Sequence, residues 1–495
     1  MAFFFGESFD LYTTGANMLG HWDNTSLNPD SSGFVTGRFA TSRGINLSSS
    51  SRYIKASGAN DSVHHFSMGL AVSSVTGSSL GAYFELDDGT TAQCTAVFRS
   101  DGNFYLTSGG PGGAVLATWP AAFSLASPVW YSFEIEVVVH NTNGSVAVRR
   151  NGSPVNDFFQ GGLDTSLTGN NYANRLVFAT QSAATFYIDD LLWRSDAASV
   201  PWLGDVRCYT RYPIADVSAQ FTRAATSSSI VLNGAFLGQA FGANTASYAR
   251  FTATYNGLVS SASVNCSVSG GGGTGHVKMA LFSVLANGGI GTLLATSAEI
   301  TNPTAATITF TFPTPGRVVQ GQQYWMGICH DASITFNVAN TGNTVQMSSP
   351  YATWPISSPG GTVGGNNIPG TFTIYTSPGI NADSVSEPRQ DAAASYVYSS
   401  TPGQADFYTL SALNAIPATV FGVVTRGYFT KSDSGTRSAT IQLKSGATTV
   451  QGAPATFSVG VWTWVERTDQ VDPATGVAWT VAGVDNVTIG PLMTA

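Results

Sequence analysis

From Asp61 to Gly152 the chain repeats one pattern: a run rich in aromatic and β-branched residues, then a short turn signal. Asp61–Val72 is one such run. Leu80–Leu86 and Ala92–Arg99 flank the turn Asp87-Asp88-Gly89, and Asp101-Gly102 precedes Asn103–Thr107. Val129–His140 is the longest run, and Asn143-Gly144 and Asn151-Gly152 follow it. Asp-Gly and Asn-Gly adopt the positive φ that joins twisted antiparallel strands, so each pair reads as a hairpin. No stretch carries apolar residues at the 3.6-residue period of an amphipathic helix. Strands at this spacing, with nothing helical between them, predict a β-sandwich over 1–200.

A chain of 495 residues has room for two to four such domains. Charged residues make up only 10% and hydrophobic ones 43%, which supports packed cores and excludes charge-driven disorder. A net charge of −8 with scattered Lys and Arg excludes a phosphate-backbone partner, so no nucleic acid is expected. Cys94, Cys208, Cys266 and Cys329 form no C-x-x-C, and each lies in an apolar run; buried thiols are the default. Whether Cys266 and Cys329 pair across the middle of the chain is left open. No stretch reaches the roughly 18 apolar residues of a membrane span. The start, Met-Ala-Phe-Phe-Phe-Gly-Glu, lacks a basic region and a long apolar one, so folding in a cytoplasm is expected.

The chain turns at Phe186–Pro213, FYIDDLLWRSDAASVPWLGDVRCYTRYP. Phe186–Trp193 is dense enough for a buried strand, Arg194–Ser199 is polar, and Pro201 holds its predecessor extended. A second strand pattern starts near Gly204. FYIDDLLW resembles the closing strand of a concanavalin-A-like (laminin-G-like) sandwich. The longer string through VPWLGDVRCYTRYP resembles tailed-bacteriophage virion proteins, in which such a sandwich precedes a second β-domain. The likeness covers 1–216 and resumes at about 385–495, from Tyr396-Val-Tyr through Asp472-Pro-Ala-Thr-Gly476. Roughly 160 residues intervene where relatives have a short connector, enough for a whole domain. The resulting organisation is all-β: a concanavalin-A-like sandwich (1–200), a second sandwich (201–217 plus 381–495), and an inserted jelly-roll-like domain (218–380).

The insert has its own β runs, among them His276–Val284, Thr307–Phe312 and Tyr324–Cys329. VKMALFSV, LLATSAE and GQQYWMGI resemble jelly-roll accessory and carbohydrate-binding modules, which implies fold only. Its Gly/Pro-rich stretch Tyr351–Gly370 is a long loop, and such loops in compact domains are either functional or disordered. Tyr351 and Trp354 offer rings that stack on sugar C–H faces, with Asn366 and Asn367 placed to hydrogen-bond hydroxyls. The competing reading buries both rings against the insert's core or a subunit interface. Tyr172, in Gly169-Asn-Asn-Tyr172, is a second glycan-stacking candidate.

Other patterns weigh less. Glu134 and Glu136, at i and i+2, share one strand face, and Phe-Glu-Ile-Glu-Val resembles the acidic strand of laminarinase-type glycosidases. Ile135 stands where that motif has an Asp and the third acid is missing, so no catalytic residue is assigned. Gly77–Gly81 matches G-x-S-x-G without a following helix, and Gly270–Gly275 matches G-x-G-x-x-G inside a glycine run. The adjacent His64 and His65 point to opposite sides of a strand and cannot chelate one metal. Asp189 or Asp190 could ligate a structural calcium ion, or accept backbone hydrogen bonds at a strand edge. No other cofactor is expected.

The resemblance implies a non-enzymatic virion structural protein of a tail, neck or fibre appendage, contributing to attachment at host-surface glycan. A capsid decoration protein and a glycan-depolymerising tailspike-type enzyme are the alternatives. Expected partners are other virion proteins and further copies of the chain, with a trimer favoured by family habit.

Overall fold

The computed structural model describes residues 3–12, 18, 21–25, 33–39, 42–47, 52–75, 80–89, 91–125, 129–180, 184–198, 201–223, 228–232, 237–241, 243–253, 257–266, 275–303, 306–319, 321–332, 334–339, 344–348, 350–355, 368–369, 372–377, 380–386, 396–413, 417 and 419–495. The fold is all-β, as the turn pattern predicts; the one described α-helix is the single turn Val481–Asp485. The chain divides into two compact units. One comprises 1–211, 388–391 and 401–495, and the other 212–387 and 392–400.

In the first unit fifteen strands precede Ser199: β1 (Phe3–Glu7), β2 (Asn24–Thr25), β3 (Phe34–Thr36), β4 (Arg43–Leu47), β5 (Arg52–Asp61), β6 (Val63–Val75), β7 (Leu80–Asp88), β8 (Thr91–Arg99), β9 (Phe104–Ser108), β10 (Val115–Trp119), β11 (Trp130–Val138), β12 (Gly144–Arg150), β13 (Phe158–Leu163), β14 (Ala173–Thr180) and β15 (Ala184–Asp196). They form an eight-stranded sheet, β13-β12-β11-β6-β15-β4-β3 with β1 also on β15, and a seven-stranded sheet, β10-β9-β8-β7-β14-β5-β2. Between the sheets lies one core, built from alternate residues such as Phe66, Met68 and Leu70 of β6, Phe84 and Leu86 of β7, and Phe133, Ile135 and Val137 of β11. This is a β-sandwich, the fold class the turn pattern predicts. The FYIDDLLW strand closes it in sequence but sits centrally in its sheet, because β6, β4 and β1 all pair with β15. Its pairing with β6 slips between Asp189 and Leu192, and Asp190 takes φ +52°. The acidic pair therefore sits on a β-bulge, which frees both carboxyls from the regular alternation.

Residues 401–495 belong to the same unit. Their strands include Phe407–Leu410, Thr488–Met493, Ser438–Ser445 and Thr448–Gln451, in that order across a sheet, and the antiparallel pair Val423–Phe429 with Thr463–Asp469. Two small cores serve them, one around Ile441, Phe457 and Val465 and one around Leu443, Trp479 and Val487.

The second unit holds a sandwich of its own. The order Ser228–Leu232, Phe372–Ser377, Gly257–Cys266, Ile334–Ala339, Leu237–Phe241 forms one sheet, with Ala306–Val318 also on Gly257–Cys266. The order Ile290–Thr296, His276–Val284, Gln323–His330, Thr245–Thr252, Thr344–Ser348 forms the other. The stretch read as an insert, 218–380, lies wholly within this unit. Its two ends lie side by side, since Asp216 accepts hydrogen bonds from the backbone N–H groups of Asn381 (2.9 Å) and Ala382 (2.7 Å).

Candidate functional site

The outer face of the seven-stranded sheet carries charged and aromatic side chains. Ala82, Phe84 and Leu86 of β7 point into the core, so Tyr83, Glu85 and Asp87 point out. The register sets their neighbours. Tyr83 lies across from Val97 of β8 and Ala179 of β14, Glu85 across from Thr95 and Val177, and Asp87 across from Arg175. One strand further, Arg52 of β5 lies across from Ala179, and on the other flank Tyr105 of β9 lies across from Val97. Tyr83 and Arg52 therefore share a row with only small or β-branched residues between strands, and that row spans five strands, about 19 Å.

The ladder of Thr95 and Thr107 shapes one wall. Their hydroxyls donate to the carbonyls of Gly109 (2.5 Å) and Gly110 (3.0 Å), which folds the β9–β10 loop over the sheet beside Glu85. At the rim, Asn170 Nδ2 donates to Asp88 Oδ2 (2.5 Å) and Thr168 binds Gln93 Oε1 through N–H (3.2 Å) and hydroxyl (3.1 Å). The half-buried Tyr172 stands on this rim beside Asp88.

Charge on the face is unevenly compensated. Arg175 grips Asp87 Oδ2 through Nε (3.0 Å) and through its terminal nitrogen. Arg52 stands 3.7 Å from Glu85 Oε1. Burial, and then the neighbouring Asp87 charge, push the Glu85 carboxyl up to about 7, while Arg52 and Arg175 pull it down. Asp87 is raised too, by burial, with Arg175 opposing. Asp87 Oδ1 is fully buried and accepts no hydrogen bond, and Glu85 is the neighbouring carboxyl. Burial thus favours the neutral form of both carboxyls, and Arg175 favours keeping the charge on Asp87. Such a pair can donate or accept a proton, and its arginines can take an anion.

No sequence argument found Glu85 or Arg52. The signal was available in the alternation of YFELD, where Tyr83, Glu85 and Asp87 share a face, but the hairpin turn at Asp87-Asp88-Gly89 drew the reading away from it.

The insert's candidates are placed differently from the projecting loop predicted for them. Tyr351 and Trp354 are 8% and 2% exposed. They lie in a 3₁₀ turn, Tyr351–Thr353, and the residue after it, packed on the outer face of the sheet of His276–Val284 and Gln323–His330. Trp354 Nε1 donates to Tyr248 Oη (2.8 Å), and its ring meets Tyr248 and Phe282 at centroid distances of 6.4 Å. Tyr351 donates to Glu299 Oε2 (2.7 Å), with Lys278 Nζ 4.4 Å from its ring centroid. Neither ring presents a face to a sugar, which corrects the stacking expectation. The physical reason is that these strands are apolar on both faces, so Ala246, Tyr248, Ala280, Phe282 and Trp325 form a second apolar surface that needs a cover. Gly327 makes the space: a Cβ there would lie 2.7 Å from the Tyr248 ring and 3.1 Å from Trp354. Asn366 and Asn367 lie outside the described residues, as do Ser79 of G-x-S-x-G, residues 270–274 of the glycine run, and the side chain of Cys266.

Glu134 and Glu136 do share the outer face of the eight-stranded sheet. Glu134 is buried, 3.0 Å from His65 Nε2, and accepts hydrogen bonds from the backbone N–H of Leu203 and, at 3.0 Å, of Gly204. Its task is to tie the segment after β15 to the sheet, aided by Arg149, 4.0 Å over the Trp202 ring. At the bulge, Asp189 Oδ2 accepts from Arg38 N (2.8 Å) and Ser42 Oγ (2.6 Å), and Asp190 Oδ1 accepts from Cys208 N (2.7 Å). The buried Asp190 Oδ2 accepts no hydrogen bond and lies 3.7 Å from Arg38 Nε. Among the described residues no three His, Cys, Asp or Glu side chains are grouped to hold a metal ion.

A second network was also missed. Glu7 of β1 is fully buried and accepts from Tyr12 Oη (2.6 Å) and Phe9 N (2.8 Å). His21 bridges Glu7 (3.2 Å) and Glu466 (2.7 Å), and Arg426 stands 3.6 Å from each of those carboxylates. Against the burial cost, Arg426, His21 and Tyr12 hold Glu7 down at about 2, and His21, Arg426 and Lys55 do the same for Glu466. Glu7 and Glu466 are 459 positions apart, so no local pattern marks the pair.

No protein-family profile and no curated protein matches the chain. Among solved structures, winged bean acidic lectin with bound methyl-α-D-galactose is similar over 39% of this chain and 98% of its own, at 9% identity and TM-score 0.27. The carbohydrate-binding module CBM66 from Bacillus subtilis is similar over 31% of this chain and 86% of its own, at 9% identity and TM-score 0.22. A carbohydrate esterase from the Shiga toxin-encoding bacteriophage phi24B is similar over 39% of this chain and 90% of its own, at 13% identity and TM-score 0.25. Likeness at this level lends the chain no function.

Proposed function

We propose that this chain is a non-enzymatic structural protein of a tailed-bacteriophage virion, in a tail, neck or fibre appendage, and that its N-terminal sandwich contacts host-surface glycan. The virion assignment is supported by the Phe186–Pro213 string and its resumption near 385. The observation that carries the glycan reading is the outer face of the seven-stranded sheet, where the half-exposed rings of Tyr83 and Tyr105 stand in one row with Arg52. Sugars offer apolar C–H faces to aromatic rings and hydroxyls to charged side chains, and such a row fits both. Shallow sites of this kind bind weakly one at a time, so the proposal includes a homo-oligomer, a trimer by family habit, that gains by avidity. It needs no cofactor.

Glycan-array binding by the purified chain, compared with Tyr83→Ala, tests the glycan reading. Loss of signal in the variant with an unchanged melting temperature supports it, and no binding by the wild type to any glycan refutes it. Labelling the protein in intact particles tests the virion reading. A capsid location would favour the decoration alternative. The Glu85–Asp87 pair keeps a depolymerase in view, because a carboxyl poised near neutrality can serve as a general acid. Release of reducing ends from host polysaccharide, abolished by Glu85→Gln, would replace the binding reading with that one.

A further inference from the structure

We propose that the glycan taken by this face is anionic, that Arg52 pairs with its acid groups, and that Glu85 is a built-in competitor for the same guanidinium. The inference rests on the glycan-binding reading above and narrows it to a ligand class and a pH dependence.

The arginines and acids of this face are equal in number, in a chain of net charge −8. Arg52, Arg99 and Arg175 all point outward on it, while its described acids are Glu85, Asp87 and, at the far end, Asp101. Each of the other two arginines has a fixed task. Arg175 grips Asp87, and Arg99 lies 4.2 Å over the Tyr105 ring with a terminal nitrogen 3.5 Å from Pro111 O. Asp101 accepts from Tyr105 Oη at 2.6 Å. Arg52 is the exception. Its side chain is 38% exposed, and its ion pair with Glu85, at 3.7 Å, is too long for a hydrogen bond. An exposed guanidinium held this loosely has its planar donor fork available for a carboxylate, sulfate or phosphate.

Glu85 decides when. The charged and titratable groups facing it are Asp87 and Tyr83 on its own strand, Arg52 from β5 and Arg175 from β14; β8 contributes Thr95, and the β9–β10 loop contributes the backbone of Gly110. Burial and Asp87 together keep Glu85 half-protonated at about pH 7. Below that pH it is neutral, can donate a hydrogen bond to the neighbouring Asp87, and leaves Arg52 without a full counter-charge. Above it, the ionised Glu85 claims Arg52 and repels an anionic ligand. The protonated fraction falls about tenfold between pH 6 and pH 8 for a group at about 7, and affinity should follow it.

The test is calorimetric titration of the full chain with three probes: oligogalacturonate (carboxylate only), dextran sulfate (sulfate only) and neutral dextran. Wild type should bind at least one anionic probe about tenfold more weakly at pH 8 than at pH 6. Glu85→Gln, an uncharged isostere, should keep the pH 6 affinity at both values, and Arg52→Gln should bind weakly at both. The two anionic arms distinguish carboxylate from sulfate recognition. Melting temperatures of both variants guard against misfolding. Equal binding of neutral dextran with no pH dependence would overturn the inference while leaving the glycan reading standing. Anion binding that is indifferent to Glu85→Gln would overturn the competitor role. Absence of binding to these probes and to every glycan on an array would sink both.

Discussion

Glu7→Gln should unfasten the acid–base network that joins β1 to the Val423–Phe429 and Thr463–Asp469 pair, and its cost should depend on pH in a calculable way. Glu7 falls from 4.5 to about 2 on folding, because the nearby Arg426 and His21 charges and the Tyr12 hydroxyl outweigh burial. A group whose folded pKa is depressed contributes stability above its unfolded value and loses it as pH falls through the folded one. A drop of this size corresponds to about 3 kcal/mol at pH 7. By pH 3 roughly 2 kcal/mol of that is gone, and it vanishes below about pH 2. Removing the charge at pH 7 also leaves Arg426 buried without its full partner, which places the total cost at about 3–5 kcal/mol. Urea denaturation of wild type and Glu7→Gln at pH 7, 5, 4 and 3 gives the gap at each pH, and contributions from carboxyls outside this network cancel in the difference. Backbone exchange read separately for Phe3–Glu7 and Val423–Phe429 shows whether the loss is local to the junction. A gap that stays constant from pH 7 to pH 3 would refute the electrostatic account.

Three further outcomes are expected. Trp354→Ala should destabilise the second unit by about 3–5 kcal/mol, as for other buried aromatic truncations, while Trp354→Phe, which loses the indole donor to Tyr248 and part of the ring volume but keeps one ring, should cost less; thermal melting of the chain measures both. Glu134→Ala should leave two half-buried backbone N–H groups unpaired, cost about 1 kcal/mol, and speed proteolytic cleavage near Leu203 and Gly204, a readout that unchanged digestion kinetics would contradict. The Cys94 thiol, pushed up to about 12 by burial, should resist alkylation at pH 8 until denaturant is added; mass spectrometry of the native chain detects any earlier labelling.

The sequence by itself determined the strands and the architecture built from them. Asp-Gly and Asn-Gly pairs fix local backbone, and alternation along β6, β7 and β11 fixes which residues face a core, so the all-β sandwich was legible before any contact was known. It also showed that the acids of β11 share a face. What it could not show was what covers each face. Trp354 and Glu134 both looked exposed by local pattern, and both are buried because distant segments lie over them: the 351–354 turn over the outer apolar face of the insert's sheet, and residues 202–204 over the outer face of the eight-stranded sheet. Charge followed the same rule. Glu85 and Glu7 are the same residue type with the same intrinsic acidity, yet one rises to about 7 beside Asp87 and the other falls to about 2 beside Arg426. Those neighbours come from pairing register and long-range packing, which depend on the whole fold, whereas turn geometry and alternation depend on a few adjacent residues.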